Sequence, residues 1–256
     1  MSSLEKTQTK QIEPRPSWLR IKAPTGENYT KLKQLFGQKR LHTVCESAAC
    51  PNVGECWHAG TATFMLMGNI CTRACRFCDV KSHTKPAPID LNEPKRLINT
   101  ISQMNLTHVV LTSVTRDDLS DGGAAYLASC IRLIKAHIKN VTIEILTPDF
   151  GGDFSQVETV LDSGPEIFNH NIETVERLTR NIRAKASYQR SLDVLKHAKL
   201  YAPHIKSKSS IMLGLGETIK ETKTALHDLR NHMVEIVTLG QYLRPSPKHI
   251  AVARYI

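Results

Sequence analysis

Between residues 62 and 240, short apolar runs alternate with stretches of helical periodicity, and that alternation limits the folds open to this 256-residue chain. "TATFMLMG", "HVVLTSV", "VTIEIL", "EIFNHNI", "KSSIMLGLGE" and "VEIVTLG" read as strands. Helical spacing predicts helices around 93–104, 122–138, 153–162, 173–182, 187–200 and 217–230. In the first of these, Leu97, Ile98, Ile101 and Met104 form one stripe. In the second, Leu127, Cys130, Ile131, Ile134 and Ile138 do the same, which reads Cys130 as a core thiol. Six strands separated by helices imply βα units and a parallel sheet, wound right-handedly into a partial barrel or an open doubly wound sheet.

Two patterns favour the barrel. In "VTIEIL", Val141, Ile143 and Ile145 share one face while Thr142 and Glu144 share the other. A strand buried on both faces is nearly all apolar, so a carboxylate on the second face points to a polar cavity; the competing reading is a Glu144 that reaches solvent at a strand edge. The second pattern is placement. The polar motifs "TSVTRDD", "TPDFGGD", "NHNIETV" and "GLGE", and a cysteine-rich loop, each follow or close a strand. Those are the ends where barrels of this type carry their chemistry. The expected architecture is therefore α/β: a partial (β/α)6 TIM-type barrel over residues 61–256, behind an N-terminal cysteine-bearing extension over residues 1–60.

Six of the seven cysteines fall between residues 45 and 78. In "NICTRACRFCDV" Cys71, Cys75 and Cys78 follow a CxxxCxxC spacing. Three thiolates suit neither a disulfide framework nor a structural zinc site, which closes with four ligands. They do suit a 4Fe–4S cube whose remaining iron is left to a chelating small molecule, such as the amine and carboxylate of an amino acid. A second triad, "CESAACPNVGEC", supplies Cys45, Cys50 and Cys56. With His42 or His58 it would also make a Cys₃His zinc site, and on spacing alone both readings stand.

"LHTVCESAACPNVGECWHAGTATFMLMGNICTRACRFCDV" resembles the lipoyl synthase family of the radical S-adenosylmethionine superfamily over its whole length. The likeness extends through "RPSWLR", "LTSVTRDDLSDGGA", "EILTPDFGGD", "FNHNIETVERL", "MLGLGET" and "TLGQYLRPSPKHIAVARYI", so it covers about residues 14–256. The resemblance implies radical insertion of two sulfur atoms at carbons six and eight of an octanoyl group carried on a protein lysine. It implies two 4Fe–4S clusters. The one on Cys71, Cys75 and Cys78 acts with S-adenosylmethionine, and an auxiliary one on Cys45, Cys50 and Cys56 supplies the sulfur. Implied contacts to S-adenosylmethionine are Ser113, Arg116 and Asp117 for its methionine end, and Glu144, Asn171 and Arg183 for its ribose and carboxylate. Gly214 and Gly216, lacking side chains, would let the adenine approach the backbone. Each has a plainer alternative: Asp117 or Asp121 as a helix cap, and Gly214–Gly216 as the turn from strand to helix. The implied partners are an octanoylated lipoyl carrier domain (an acyltransferase subunit of a dehydrogenase, or the glycine-cleavage H protein) and a reductant such as flavodoxin or ferredoxin.

The sequence departs from the family pattern at two places. Ser210 stands where the family's "KSG" stretch has glycine. The chain also ends at Ile256, before the Arg-Ser-Ser-Tyr segment whose serine ligates the auxiliary cluster in that family. The expectation is a polypeptide that binds and cleaves S-adenosylmethionine but completes lipoyl formation poorly.

A net charge of +10 attracts anionic partners. With no run of Lys and Arg and no interleaved aromatics, nucleic acid is not expected among them. A methylthiotransferase acting on tRNA or protein shares the three-plus-three cysteines, but spreads its first triad over a longer span and adds an RNA-binding domain. No stretch approaches the roughly 20 apolar residues of a membrane span, and the N-terminus has no apolar signal core, so the expected location is the cytoplasm.

Overall fold

The computed structural model describes residues 16–19, 41–43 and 53–256. Two of the predicted auxiliary ligands, Cys45 and Cys50, lie outside the described residues, as do the side chains of His42 and His58. The elements used below are strands β1 (His42–Thr43), β2 (Thr61–Leu66), β3 (Ile70–Cys71), β4 (Lys81–Ser82), β5 (His108–Ser113), β6 (Thr142–Leu146), β7 (Ile167–Asn169), β8 (Lys206–Leu213) and β9 (Ile236–Gln241). They alternate with helices α1 (Val53–His58), α2 (Glu93–Gln103), α3 (Ala124–His137), α4 (Phe154–Leu161), α5 (Glu176–Ile182), α6 (Tyr188–Tyr201) and α7 (Ile219–Asn231).

Six strands run parallel in the order β2-β5-β6-β7-β8-β9, and β1 adds to β2 antiparallel at one edge. All six predicted strands are present. The sheet's two faces separate by alternation. Phe64 and Leu66, Val109 and Leu111, Ile143 and Ile145, and Phe168 point toward the helices and are almost wholly buried. There they meet Leu97 and Ile101 of α2 and Leu127, Ile131 and Ile134 of α3, with Cys130 buried among them as predicted. Each such side chain contributes about 1.5–3 kcal/mol on burial.

The other face is polar. Glu144 is only 3 % exposed. It accepts hydrogen bonds from Lys208 Nζ at 2.8 and 2.9 Å and from Asn169 Nδ2 at 2.8 Å. A lysine on β8 spans across β7 to reach β6 because the sheet curls; in a flat sheet the two strands would lie about 10 Å apart. This is a half-barrel with a polar interior, and Glu144 does not reach solvent.

The structure differs from the predicted elements at their ends. β7 covers only three residues: regular pairing stops at Asn169, and the "NHNIETV" segment rejoins β8 at an isolated bridge between Glu173, at φ 64°, and Ile211. α5 then starts at Glu176, after an extended Val175. The two-residue strands β1, β3 and β4 are too short to leave a periodic signature. Of the expected extension, Leu41 and Trp57 are buried in the same core as the barrel helices.

Candidate functional site

The cysteine loop leaves β2 through a turn that the fold holds from beneath. Met67 takes φ 64°, and its amide is received by the buried carboxylate of Glu93 at 2.9 Å, which also accepts the Tyr126 hydroxyl at 2.8 Å. A side chain at Gly123 would collide with Met67: a Cβ there would stand 2.4 Å from its sulfur. β2, α2 and α3 thus fix the point from which the loop departs.

Beyond it, Cys71 Sγ faces two amides, Arg73 N at 3.4 Å and Thr115 N at 3.3 Å. Thr72 pairs with the loop after β5, its amide and hydroxyl both reaching the Thr115 carbonyl at 3.0 Å while its hydroxyl receives Asp117 N. Cys75 and Cys78 are partly buried and bridged by a backbone bond from Cys78 N to the Cys75 carbonyl. Burial, with the neighbouring sulfurs adding, pushes the Cys78 thiol up to about 11, and burial also raises Cys75. The loop collects three thiols, and at Cys75 and Cys78 the setting disfavours free thiolates, so a bound cation would have to offset that cost.

Arg73, between Cys71 and Cys75, is the side chain that anchors this loop. Its guanidinium is 9 % exposed, meets Asp149 at 2.7 Å and grips both oxygens of Asp117. Asp149, with no side-chain exposure, also takes Arg190 at 3.3 Å and the Gly151 amide at 3.2 Å. These partners, Arg73 foremost, outweigh burial and hold its carboxyl down at about 2. Neither Arg73 nor Asp149 was among the predicted site residues. The signal was available in "TPDFGGD" and in an arginine between two cysteines, but the pairing exists only in three dimensions.

The predicted contacts fall into two groups. Ser113, Asn171 and Arg183 come to the C-terminal mouth of the half-barrel. Ser113 Oγ and Asn171 Oδ1 are buried without a hydrogen-bond partner, as are Thr147 Oγ1 and Asn169 Oδ1 on the neighbouring exits. Buried polar atoms are ordinarily satisfied, so such a group marks the seat of a polar ligand. Arg183 is buried, donates to Ser191 Oγ at 2.9 Å and lies in the electrostatic reach of Cys75 and Glu173. Glu173, within the "NHNIETV" motif, is a further, partly buried acid at this mouth that the sequence pattern does not single out. Its backbone bridges to β8, with its amide on the Ser210 carbonyl and its carbonyl on the Met212 amide.

The proton inventory behind Arg183 is determinate. His170 Nδ1 faces the Thr147 carbonyl at 2.9 Å and therefore carries the hydrogen. Its Nε2 faces Ser191 Oγ at 2.9 Å and accepts from that hydroxyl, leaving the serine oxygen to accept from Arg183. Burial pushes the His170 imidazole down to about 4, so it stays neutral and serves as a fixed acceptor.

The second group is already engaged within the chain. Asp117 holds Arg73 rather than capping a helix. Asp121, two residues before the Gly123 N-cap of α3, receives the amides of Gly123 and Ala125 instead. Arg116 is buried in a bidentate pair with Asp118 at 2.8 Å, with its Nη1 left without a partner. Glu144 is paired with Lys208 deep in the barrel. At Gly214 a Cβ would stand 2.5 Å from both the Arg254 carbonyl and Gln241 Nε2, so the missing side chain admits the chain's own C-terminal segment. Gly216 lies beside Ala253, 3.8 Å from where its Cβ would be.

That segment forms a strap. The Ala253 amide reaches the Gly214 carbonyl at 2.8 Å, the Ile250 amide reaches Arg76 O at 3.1 Å, and His249 Nε2 donates to Cys78 O at 3.1 Å. It fastens the cysteine loop to the exits of β8 and β9. Among the described residues no three His, Cys, Asp or Glu side chains converge on a single-ion site, and no helix is long and apolar enough to cross a membrane.

A family model described as the radical SAM superfamily matches residues 65–229, and one described as the N-terminal domain of lipoyl synthase matches residues 2–50. Among solved structures, methylornithine synthase shares the fold at a TM-score of 0.60 and 16% identity, covering 90% of this chain and 64% of that one. SuiB of Streptococcus suis does so at 0.59 and 9%, covering 96% and 51%. Half-barrel, cysteine loop and family model together define a radical S-adenosylmethionine protein.

Curated relatives carry the assignment further. The chain is 53% identical over 242 residues to the lipoyl synthase of Geobacillus sp. (strain WCH70), covering 94% of this chain and 81% of that relative. It is 51% identical over 250 residues to that of Staphylococcus haemolyticus (strain JCSC1435), covering 97% and 81%. It belongs to the lipoyl synthase family, and is an enzyme of the radical sulfur-insertion class.

Proposed function

We propose that Cys71, Cys75 and Cys78 hold the 4Fe–4S cluster that the superfamily requires and leave one iron open to S-adenosylmethionine. The observation that carries this is the coincidence, at one barrel mouth, of the three thiols with four unsatisfied buried polar atoms. The chemistry such a cluster supplies is a single electron that breaks a carbon–sulfur bond of the sulfonium, giving a radical able to take hydrogen from an unactivated C–H bond. The rest falls to the protein. Arg73, locked by Asp149 and Asp117, keeps the loop in place. Ser113 and Asn171 offer hydrogen bonds to the methionine and ribose ends, Arg183 faces the carboxylate, and Glu173 lies beside them as an additional acceptor. Gly216 keeps the adenine side of the mouth free of a side chain. Arg116, Asp117, Glu144 and Gly214 act through the framework instead.

Under the same reading, the substrate is an octanoyl-lysine on a lipoyl carrier domain, converted by two sulfur insertions at carbons six and eight. The carrier is a dehydrogenase acyltransferase subunit or the glycine-cleavage H protein, and the reductant is a flavodoxin or ferredoxin. A second 4Fe–4S cluster on Cys45, Cys50 and Cys56 of the extension over residues 1–60 supplies the sulfur. Cys56 is the one member of that triad described here, and it is partly buried. The reaction takes place in the cytoplasm.

Anaerobic reconstitution tests the assignment. The wild type should be brown with about eight irons per chain. Replacing Cys71, Cys75 and Cys78 by Ala should remove about half of that iron and all production of 5′-deoxyadenosine from S-adenosylmethionine and dithionite. A colourless zinc protein, or undiminished 5′-deoxyadenosine, would refute it.

A further inference from the structure

The cluster loop presents one face to solvent, and that face is cationic. In residues 69–80 the only acid is Asp79, which stands 3.6 Å from His249. Arg76, between Cys75 and Cys78, is exposed; its amide is fixed on the Ile182 carbonyl, and its guanidinium reaches Asn181 O at 3.4 Å. Lys185 follows Ala184, whose backbone bonds Cys75, and its side chain is 64 % exposed. On the other side, exposed Lys248 lies in the strap next to His249, which holds the Cys78 carbonyl, and two residues before Ile250, which holds Arg76. Three exposed cations therefore flank the backbone of two cluster thiols, Lys185 with a long 4.0 Å ion pair to Asp117. Asp117 is gripped at closer range by Arg73, so it offsets little of the Lys185 charge.

We propose that Arg76, Lys185 and Lys248 form the docking surface for an acidic one-electron carrier protein. The proposal rests on the assignment of the radical-generating cluster to Cys71, Cys75 and Cys78. An electron donor must come close to the cluster, because electron transfer weakens steeply with distance, and this is the loop's solvent face. The mouth itself, ringed by Ser113, Thr147, Asn169 and Asn171, is the path an acyl-lysine arm must take. The patch beside it is open to a partner at the same time. Opposite charges at such a rim raise encounter rates more than they tighten the complex, and salt removes the advantage.

The test compares two reductants on the same protein, following 5′-deoxyadenosine. One is a bacterial flavodoxin kept reduced by its reductase; the other is dithionite, which needs no docking surface. The variants are Lys185→Gln/Lys248→Gln and Lys185→Glu/Lys248→Glu, with Lys185→Arg/Lys248→Arg as control. The expected result at low salt is a loss of about threefold for the Gln pair and about tenfold or more for the Glu pair with flavodoxin. The loss should shrink at high salt, the Arg pair should match wild type, and dithionite rates should agree within about twofold. Unchanged flavodoxin-driven rates overturn the proposal, as does an equal loss with both reductants, which would make the lysines structural. It is also overturned if only the KM for the octanoylated carrier rises, since the surface would then belong to that partner. Failure of the wild type to cleave S-adenosylmethionine with dithionite would instead remove the cluster assignment beneath it.

Discussion

Asp149 offers the sharpest test of how the cysteine loop is held. Asp149→Asn keeps the shape of the side chain and one acceptor but removes the charge that Arg73 and Arg190 face. The folded carboxyl stands at about 2, against an ordinary 3.8, a difference worth about 2 to 3 kcal/mol. Breaking one partner of a buried ion pair costs about 3 to 5 kcal/mol where nothing replaces it. Arg73 keeps Asp117, so the lower figure applies. With a urea slope of a few kcal/mol per molar, the midpoint should fall by roughly 1 M.

The pH dependence gives an independent reading. Because folding depresses this pKa, the stabilisation is complete above the unfolded value, at pH ~5 and higher, and is lost as pH falls toward 2. Wild type and Asp149→Asn should therefore differ fully at pH 7 and converge in acid. Asp117→Asn, at a carboxylate with 30 % side-chain exposure, should cost under about 1 kcal/mol. Urea titration by circular dichroism at pH 7 and pH 3 measures all of this. Equal shifts for the two variants, or a difference between wild type and Asp149→Asn that is as large at pH 3 as at pH 7, would refute the reasoning. With a folded value of about 2, only roughly half of that difference should remain at pH 3.

Three other perturbations are informative. Glu144→Gln and Lys208→Met should each destabilise by about 3 kcal/mol by stranding a partner, while the double variant recovers about 1 to 3 kcal/mol of the summed loss in a urea double-mutant cycle. Gly214→Ala combines a left-handed φ of 97° with a 2.5 Å collision against Arg254 O, so the strap should lift and residues beyond Tyr242 become protease-sensitive while the barrel core stays intact. His249→Ala removes the donor to Cys78 O and should lower iron retention during gel filtration severalfold and shift the reduced-cluster spectrum, with His249→Gln restoring part of both.

The parts of this fold that sequence reasoning reached are those set by local periodicity. Strand alternation placed Ile143 and Ile145 against helices and Glu144 inside, and the 3.6-residue stripe placed Cys130 in the core. The polar motifs at strand exits marked the end of the sheet where the mouth lies. What stayed hidden depends on contacts between distant segments. The charge of Asp117 looked like a ligand contact, yet its partner Arg73 lies 44 residues away. Gly214 looked like a gap for a nucleobase, yet Arg254 O from the end of the chain fills it. In both cases the residue type signalled a constraint, and only topology revealed what imposed it.

A common consequence runs through these contacts. The cysteine loop has almost no regular structure of its own, two-residue β3 excepted, and burial disfavours the ionised forms of Cys75 and Cys78. The loop is therefore fixed from outside at four points: Glu93 beneath its start, Thr115 and Asp117 after β5, Asp149 after β6, and the strap through Arg76 and Cys78. Order at the thiols is thus maintained by residues that never touch a cluster. Removing any one anchor should loosen iron binding before it unfolds the barrel, because Leu97, Ile131, Ile143 and the rest of the apolar core lie on the opposite face of the sheet. Iron release that tracked global unfolding in every anchor variant would show that loop and barrel form one cooperative unit.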